Sequence, residues 1–430
     1  MADHPADRYA TSRAMLERAR LSLAGGVSSP FRAQAPVPLY FRDGCGSKLQ
    51  DVDGNWYIDY TLAWGPNILG YRHPRVVETV LRYAAGPHTY GAQHELEFLV
   101  AEKICELAPC AERVIFSSSG SEAVQLALRL ARAATKCPRV LKFEGHYHGW
   151  MDSVLISYHP PAEQAGRPFL HSRGQVANTL DNIAVATWNS LEAVEQALAA
   201  GDIAAVIMEP VLCNSGCILP RPGYLEGVRQ LCTRHGALLI FDEVITGFRM
   251  ALGGAQGVFG VTPDLATFGK ALAAGLPLSA VAGKREILDL MFGGGVAFGG
   301  SFNGNPVSLA GAHAALSELS RDDGAALAHA NAIGERLMAG IQESARRHGV
   351  PLLVSGFGAA LALHFTQHTE LHDYADTLAD DRDMLRQVVL GLLEEGVQIL
   401  PDGRLYVSAV HSDEDVETTM AAVDRCFSKL

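Results

Sequence analysis

The sequence predicts an α/β protein: a large, mostly parallel, doubly wound sheet with helices on both faces, followed by a smaller α+β unit. Three observations carry this reading. Short apolar runs without helical period, at 113–117, 140–143, 203–208 and 238–241, alternate with amphipathic stretches of helical length. Two such runs end in an ionisable group: Asp242 follows 237–241, and Lys270, 28 positions later, follows 266–269. Ligands of parallel sheets bind outside the carboxyl ends of strands, so this pair predicts a carboxylate and an amine facing one small molecule. The third observation is the small-residue turn Ser118-Ser119-Gly120-Ser121, which joins a strand to a helix. Unpaired N–H groups and the positive dipole end at such a turn form an anion site.

Composition narrows the function class. The chain has 430 residues, 48% hydrophobic and 19% charged, which is the balance of a globular enzyme with a large core. A net charge of -12, spread along the chain, argues against a nucleic-acid or anionic-membrane surface. The eight cysteines form no CxxC pair; Cys213 and Cys217 stand in a C-x3-C arrangement without a second cluster, so neither zinc nor a disulfide framework is expected. The first residues carry no basic or apolar leader pattern and no long apolar run follows, so the cytoplasm is the expected compartment.

In chain order, 8–24 reads as a surface helix stopped by Gly25-Gly26, and 25–33 as a loop whose only cation is Arg32. Arg32 is either an ordinary surface arginine or a carboxylate-binding fork. Residues 38–60 alternate around turns at Asp43-Gly44 and Asp53-Gly54-Asn55, a hairpin meander. Trp64 lies in an irregular aromatic stretch and reads equally as core or as a site wall. Helices are predicted over 74–85 and 96–107, and a helix after Ser121 shows an apolar stripe at Val124, Ala127, Leu128 and Ala131. The strand at 140–143 runs into Glu144-Gly145-His146-Tyr147-His148; H-x-H could ligate a metal, but a third donor at matching spacing is missing. Residues 157–185 read as a long loop, 203–208 as a buried strand, 224–235 as a helix, and 308 onward as a long helix. The α+β unit follows, with helices over 330–348 and 381–395, strands over 360–365 and 405–408, and a last helix from Asp413. The expected division is an N-terminal segment 1–72, a large domain 73–310 and a small domain 311–430.

Asp-Glu-Val-Ile-Thr-Gly-Phe-Arg at 242–249 and Phe-Gly-Lys-Ala-Leu at 268–272 resemble the two signatures of class III pyridoxal-phosphate aminotransferases, and the likeness extends over most of the chain. The nearest resemblance is to glutamate-1-semialdehyde aminomutases and related aminotransferases. It implies fold type I, the aspartate aminotransferase-like architecture, and pyridoxal 5'-phosphate as cofactor. It further implies that Lys270 holds the cofactor as a Schiff base, with Asp242 against the ring nitrogen and Tyr147 and Val244 on opposite ring faces. Ser119, Gly120 and Ser121 would cup the phosphate, Asn214 would bond the phenolic oxygen, and Ser301 would reach the phosphate of a neighbouring subunit in a homodimer. Arg32, Trp64 and Arg404 fall on the substrate side.

The amine and acid together imply an electron-sink reaction at an amino-bearing carbon, with Lys270 moving the proton. Two departures from the aminomutase pattern favour transfer between two substrates over intramolecular transfer. The glycine- and serine-rich gating sequence is absent between Tyr158 and Asn182, and 400–405 is short and lacks the family glutamate, leaving Arg404 nearby. The reading is therefore an aminotransferase for an amino or keto acid, with Arg32 or Arg404 anchoring a carboxylate. The aminomutase reaction and a catalytically idle binding protein are the alternatives.

Overall fold

The structure, a computed structural model, describes residues 7–293 and 295–430; the N-terminal residues used for the leader reading lie mostly outside them. Fourteen strands are present among the described residues. They are β1 Phe41–Cys45, β2 Lys48–Asp51, β3 Trp56–Asp59, β4 Arg113–Ser117, β5 Arg139–Phe143, β6 Ile183–Ala186 and β7 Ile203–Met208. After these come β8 Leu238–Glu243, β9 Leu265–Phe268, β10 Ser279–Gly283, β11 Leu352–Phe357, β12 Ala360–Phe365, β13 Val397–Gln398 and β14 Arg404–Tyr406.

Seven strands form the central sheet in the order β4-β10-β9-β8-β7-β5-β6. β10 alone runs antiparallel, paired with β4 and β9. The neighbours from β9 to β6 are parallel. The carboxyl ends of β4, β5, β7, β8 and β9 therefore share one edge.

Both faces of this sheet are buried, and β7 and β8 show how one strand serves two cores. In β8, Leu239 and Phe241 pack beneath the helix Tyr224–His235, against Val228 and Cys232. Ile240, pointing the other way, joins Val124, Ala127 and Ala131 of the helix Gly120–Thr135. This alternation is the period-two geometry of a strand buried on both sides. A further core packs Phe116, Phe268 and Ala280 against the helices Glu95–Leu107 and Pro306–Leu319.

The N-terminal meander β1-β2-β3 is completed by β13, which pairs in parallel with β3. Ile58 and Tyr60 consequently share a core with Leu337, Leu392 and Val423, on the three C-terminal helices. β11, β12 and β14 make a separate antiparallel sheet beside those helices.

The expected α/β class, meander and most helices are present. Several strands were not expected. Ile183-Ala184-Val185-Ala186 falls at the end of the expected long loop, yet forms edge strand β6; alanine-rich runs of that length carry little intrinsic strand preference and are ordered here by pairing with β5. β10, β11 and β13 were missed similarly. The remainder of the expected loop carries the 3₁₀ turns Ala162–Gln164 and Ala177–Asn182. It is tied down by Ser157 N donating to Phe169 O at 2.7 Å and Gly166 N donating to Glu144 Oε1 at 2.8 Å.

Candidate active site

A cavity of about 490 Å³ opens at the carboxyl edge of the central sheet, lined by Ser119, Gly120, Tyr147, Asp242, Val244 and Lys270 among others. Asp242 and Lys270 come from adjacent strands, and Asp242 pairs in register with Thr267. The Thr267 hydroxyl and the Val244 amide donate to Asp242 Oδ1 at 3.0 and 3.2 Å. The other oxygen, Oδ2, lies 2.7 Å from Nδ1 of the fully buried His148. Burial lowers the His148 pKa and favours the neutral ring, which then donates from Nδ1. Three donors thus fix the carboxylate in place.

Lys270 follows β9 in a left-handed conformation, φ 42°, which a lysine adopts only when its surroundings impose it. Desolvation brings its pKa down to about 8 against the opposing charge of Asp242; Arg404 and Arg249 push the same way as desolvation. Above the amine runs a strained segment in which Leu62, Ala63 and Trp64 all have positive φ, followed by Gly65 at φ 103°. Asp59 holds its start, accepting from the amides of Thr61 at 2.9 Å and Leu62 at 3.0 Å. Arg249 holds its end by donating to the Gly65 carbonyl. A side chain on Gly65 would meet Arg249 Nη2 at 3.3 Å and Lys270 Cδ at 3.6 Å, so the glycine lets the backbone close over the lysine.

The predicted phosphate turn is refined by its capping box. Ser119 caps the helix Gly120–Thr135, and Glu122 Oε2 accepts from the amides of Ser118 and Ser119 at 3.1 and 2.7 Å and from the Ser119 hydroxyl at 2.9 Å. The Ser119 donors are therefore already engaged, and Gly120 and Ser121 carry the open first-turn amides. A Cβ on Gly120 would lie 3.3 Å from Val244 Cγ2, so a larger residue would narrow the cleft.

The other sequence-predicted residues divide. Tyr147, Val244 and Asn214 line the cavity with the amine and the acid. Trp64 lies outside it, in the wall of a second chamber of about 360 Å³ that shares Asn214. Arg404 lines that chamber too, its guanidinium already bonded to Asp402 Oδ2 through Nη2 at 2.6 Å and Nε at 3.0 Å, with Nη1 on Asn214 Oδ1 at 3.1 Å. Arg32 is exposed, between the chamber-lining Phe31 and Gln34. Ser301 is exposed and outside the cavity lining.

Comparison with known proteins gives these positions their context. The family model described as Aminotransferase class-III matches residues 31–427. The chain belongs to the class-III aminotransferase family. It is 41% identical over 426 residues to glutamate-1-semialdehyde 2,1-aminomutase 2 of Brevibacillus brevis, with 97% of this chain and 98% of the relative covered. Among solved structures, an omega-transaminase from Sphaerobacter thermophilus superposes with a TM-score of 0.92 at 31% identity, covering 97% of each chain. A glutamate-1-semialdehyde aminomutase from Pseudomonas aeruginosa, in complex with PMP, gives 0.91 at 25% identity, covering 98% of this chain and 95% of that one.

This class-III aminotransferase is thus a pyridoxal-phosphate-dependent enzyme, and its cavity fits that cofactor: open helix-terminal amides at one wall, a fixed carboxylate and a half-buried amine at the others. Sequence reasoning missed Glu209. It follows β7 at the same sheet edge, 3% exposed, and accepts from Tyr147 N at 2.8 Å and Asn214 N at 3.1 Å. One carboxylate thereby pins two loops that line the cavity. Desolvation raises its pKa to about 7. The signal that singled out Asp242, an acid closing an apolar strand, was present here also. His146 and His148 are each engaged singly: His146 Nδ1 accepts from Glu209 N at 3.0 Å, while His148 holds Asp242.

Proposed function

We propose that this enzyme moves an amino group from an amino acid or amine to a keto or aldehyde acceptor, with Lys270 as the amine that carries the cofactor as a Schiff base. The observation that supports this most is that Lys270 and Asp242 close adjacent strands and face one cavity. The cofactor supplies an electron sink that makes the proton on the amino-bearing carbon acidic. Asp242, held by His148, Thr267 and the Val244 amide, keeps a negative charge where the ring nitrogen is to stay protonated. As a free amine, Lys270 would take and return the carbon-bound proton, a task for an amine whose pKa lies near 8. Tyr147 and Val244 would bracket the ring, while Gly120 and Ser121 would offer amides to the phosphate and the Ser119 cap holds their turn.

Arg404 is the candidate anchor for a substrate carboxylate, since it bonds Asn214 at the boundary between the two cavities. Arg32 is the candidate if the Asp402 pair stays closed. The enzyme would act as a homodimer: Ser301 would reach the partner's phosphate, and the exposed aromatic side chains of Trp150, Phe292 and Phe302 give apolar surface for such an interface. No described helix is long and apolar enough to cross a membrane. The proposed setting is the cytoplasm, with no nucleic-acid partner.

A second reading, intramolecular amino transfer in glutamate 1-semialdehyde, is favoured by the 41% identity to a relative of that name. One screen separates the two. Amino compounds, glutamate 1-semialdehyde included, are added singly to the cofactor-loaded protein, and conversion to the pyridoxamine form and to products is followed. Conversion by an amino acid or amine that leaves as its carbonyl product supports the aminotransferase. Turnover confined to glutamate 1-semialdehyde supports the aminomutase, and absence of any cofactor band supports an idle relative.

A further inference from the structure

A strained strap of chain runs between the cofactor cavity and the second chamber. Trp64 lines the chamber and Pro66 the cavity, with Gly65 buried between them. Leu62, Ala63 and Trp64 are left-handed in succession, a conformation that residues other than glycine keep only when outside contacts impose it. At the start of the strap Asp59 supplies those contacts, accepting from the Thr61 and Leu62 amides. At its end they come from Arg249, whose Nη2 donates to the Gly65 carbonyl while Nε donates to the Ile245 carbonyl at 3.1 Å.

Arg249 is an unusual cation. It lies in the turn after β8, wholly buried, and its neighbours are the Tyr406 ring, 5.0 Å from Cζ, and the thiols of Cys213 and Cys217. Among the described residues no carboxylate pairs with it, and its buried Nη1 has no hydrogen-bond partner. A guanidinium buried without an acid gives up more hydration than two carbonyls return, so stability does not account for the contact with Gly65. Its consequence falls on Lys270. A Cβ on Gly65 would stand 3.3 Å from Arg249 Nη2, 3.6 Å from Lys270 Cδ and 3.6 Å from Tyr406 Cε2, so bare backbone is pressed between the guanidinium, the phenol ring and the lysine stem.

We propose that Arg249 is a positioning residue for Lys270: by pinning the Gly65 carbonyl it keeps the strap closed over the lysine stem, so that the amine enters the cavity from one fixed direction. This rests on the aminotransferase reading, in which Lys270 is the reacting amine, and deepens it. Arg249 is absent from the lining of both cavities, so it acts through the strap and touches no substrate. Both of its nitrogens are used: Nε stays on Ile245 while Nη2 reaches Gly65, a fork that the single nitrogen of a lysine does not reproduce.

The test reads the Lys270 amine in the full-length, cofactor-free protein by trace acetylation across pH and peptide mass mapping. In the unmodified protein the labelling midpoint falls near 8. Beyond desolvation, the charges acting on the amine are those of Asp242, Arg404, Glu209 and Arg249, and R249K leaves all four in place. Loosening of the strap in R249K admits water to the amine, so the midpoint rises by about half a pH unit or more. R249M, which also removes the charge, moves it at least as far. I341A, which opens space in the C-terminal core, leaves it unmoved. In the cofactor-loaded protein R249K turns over roughly tenfold more slowly or worse. An unmoved midpoint or unchanged turnover in R249K overturns the proposal; a shift confined to R249M would leave only the charge, and an equal shift in I341A would mean general loosening. Hydrogen exchange decides even where neither Arg249 variant folds: in the unmodified protein the amides of Leu62, Trp64 and Gly65 exchange as slowly as those of β8, and rapid exchange there overturns the proposal. Failure of the aminotransferase reading shows separately, as absence of a lysine-bound cofactor band on loading, which the labelling midpoints do not depend on.

Discussion

The cofactor cavity and the neighbouring chamber are built by different means. The cavity takes its polar groups from strand ends on one sheet edge: Asp242 near the end of β8, Lys270 after β9, Glu209 after β7 and the Ser119 turn after β4. Strand register sets their spacing, and a donor already fixes each oxygen of Asp242 and Glu209. The chamber draws Phe31, Trp64, Tyr158, His364, Asp380 and Arg404 from segments far apart in the chain, and it leaves one buried carboxylate oxygen, Asp380 Oδ1, without a partner among the described residues. Chemistry common to a family sits on the sheet edge, whereas selectivity sits where loops converge.

Substitutions on the two sides should therefore fail differently. The largest effect belongs to the sheet edge: D242N keeps the shape but removes the charge held by His148, Thr267 and Val244, and turnover should fall on the order of 10²–10³-fold with cofactor still bound. Activity within about twofold of the unmodified enzyme would break the comparison at its strongest point.

R404A comes next. It takes the buried Arg404 guanidinium away from Asp402, Asn214 and Tyr406, so about 1–3 kcal/mol of stability should be lost in denaturant titration. R32A, at an exposed side chain, should stay within about 0.5 kcal/mol of the unmodified protein. Equal losses would mean that the Arg404–Asp402 pair is not a fixed part of the chamber. G216A should destabilise by about 1–3 kcal/mol through its left-handed backbone and the approach of His364, yet leave the cofactor's absorption intact.

The smallest effect is a pH slope. Glu209 has a folded pKa of about 7 against an ordinary 4.5, so the folded protein holds a proton that the unfolded chain has already released. Its contribution to stability is complete below pH 4.5 and is lost as pH rises through about 7. E209Q should flatten that part of the stability profile of the cofactor-free protein; an unchanged slope would place the titration elsewhere.

The contrast also explains what the sequence made legible. Asp242, Lys270 and the Ser119 turn stand out because an apolar strand ending in a polar group is a local pattern. The same pattern at Met208-Glu209 was present and passed over. β10 was hidden because Ser279-Ala280-Val281-Ala282-Gly283 is small and gains its strand character by pairing with β4 and β9. Asp380 and His364 carry no local signal: they stand 16 residues apart, and their meeting depends on how the turn Ala375–Ala379 lies beside β12. Arg404 was singled out as a candidate carboxylate anchor, and its pairing with Asp402 two positions earlier became visible only when both side chains were placed.

Two lysines in this chain have strongly lowered pKa values, and they give the most direct test. Lys142 on β5, brought down to about 7 by desolvation, is wholly buried and donates to the backbone carbonyls of His146 and Ile156. Lys270, at about 8, faces the cavity with Asp242. Borohydride reduction of the cofactor-loaded protein, followed by peptide mass mapping, should place the label on the peptide containing Lys270 and on no other, and K270A should take up none. Label on Lys142 or another lysine, or full turnover in K270A, would contradict the account.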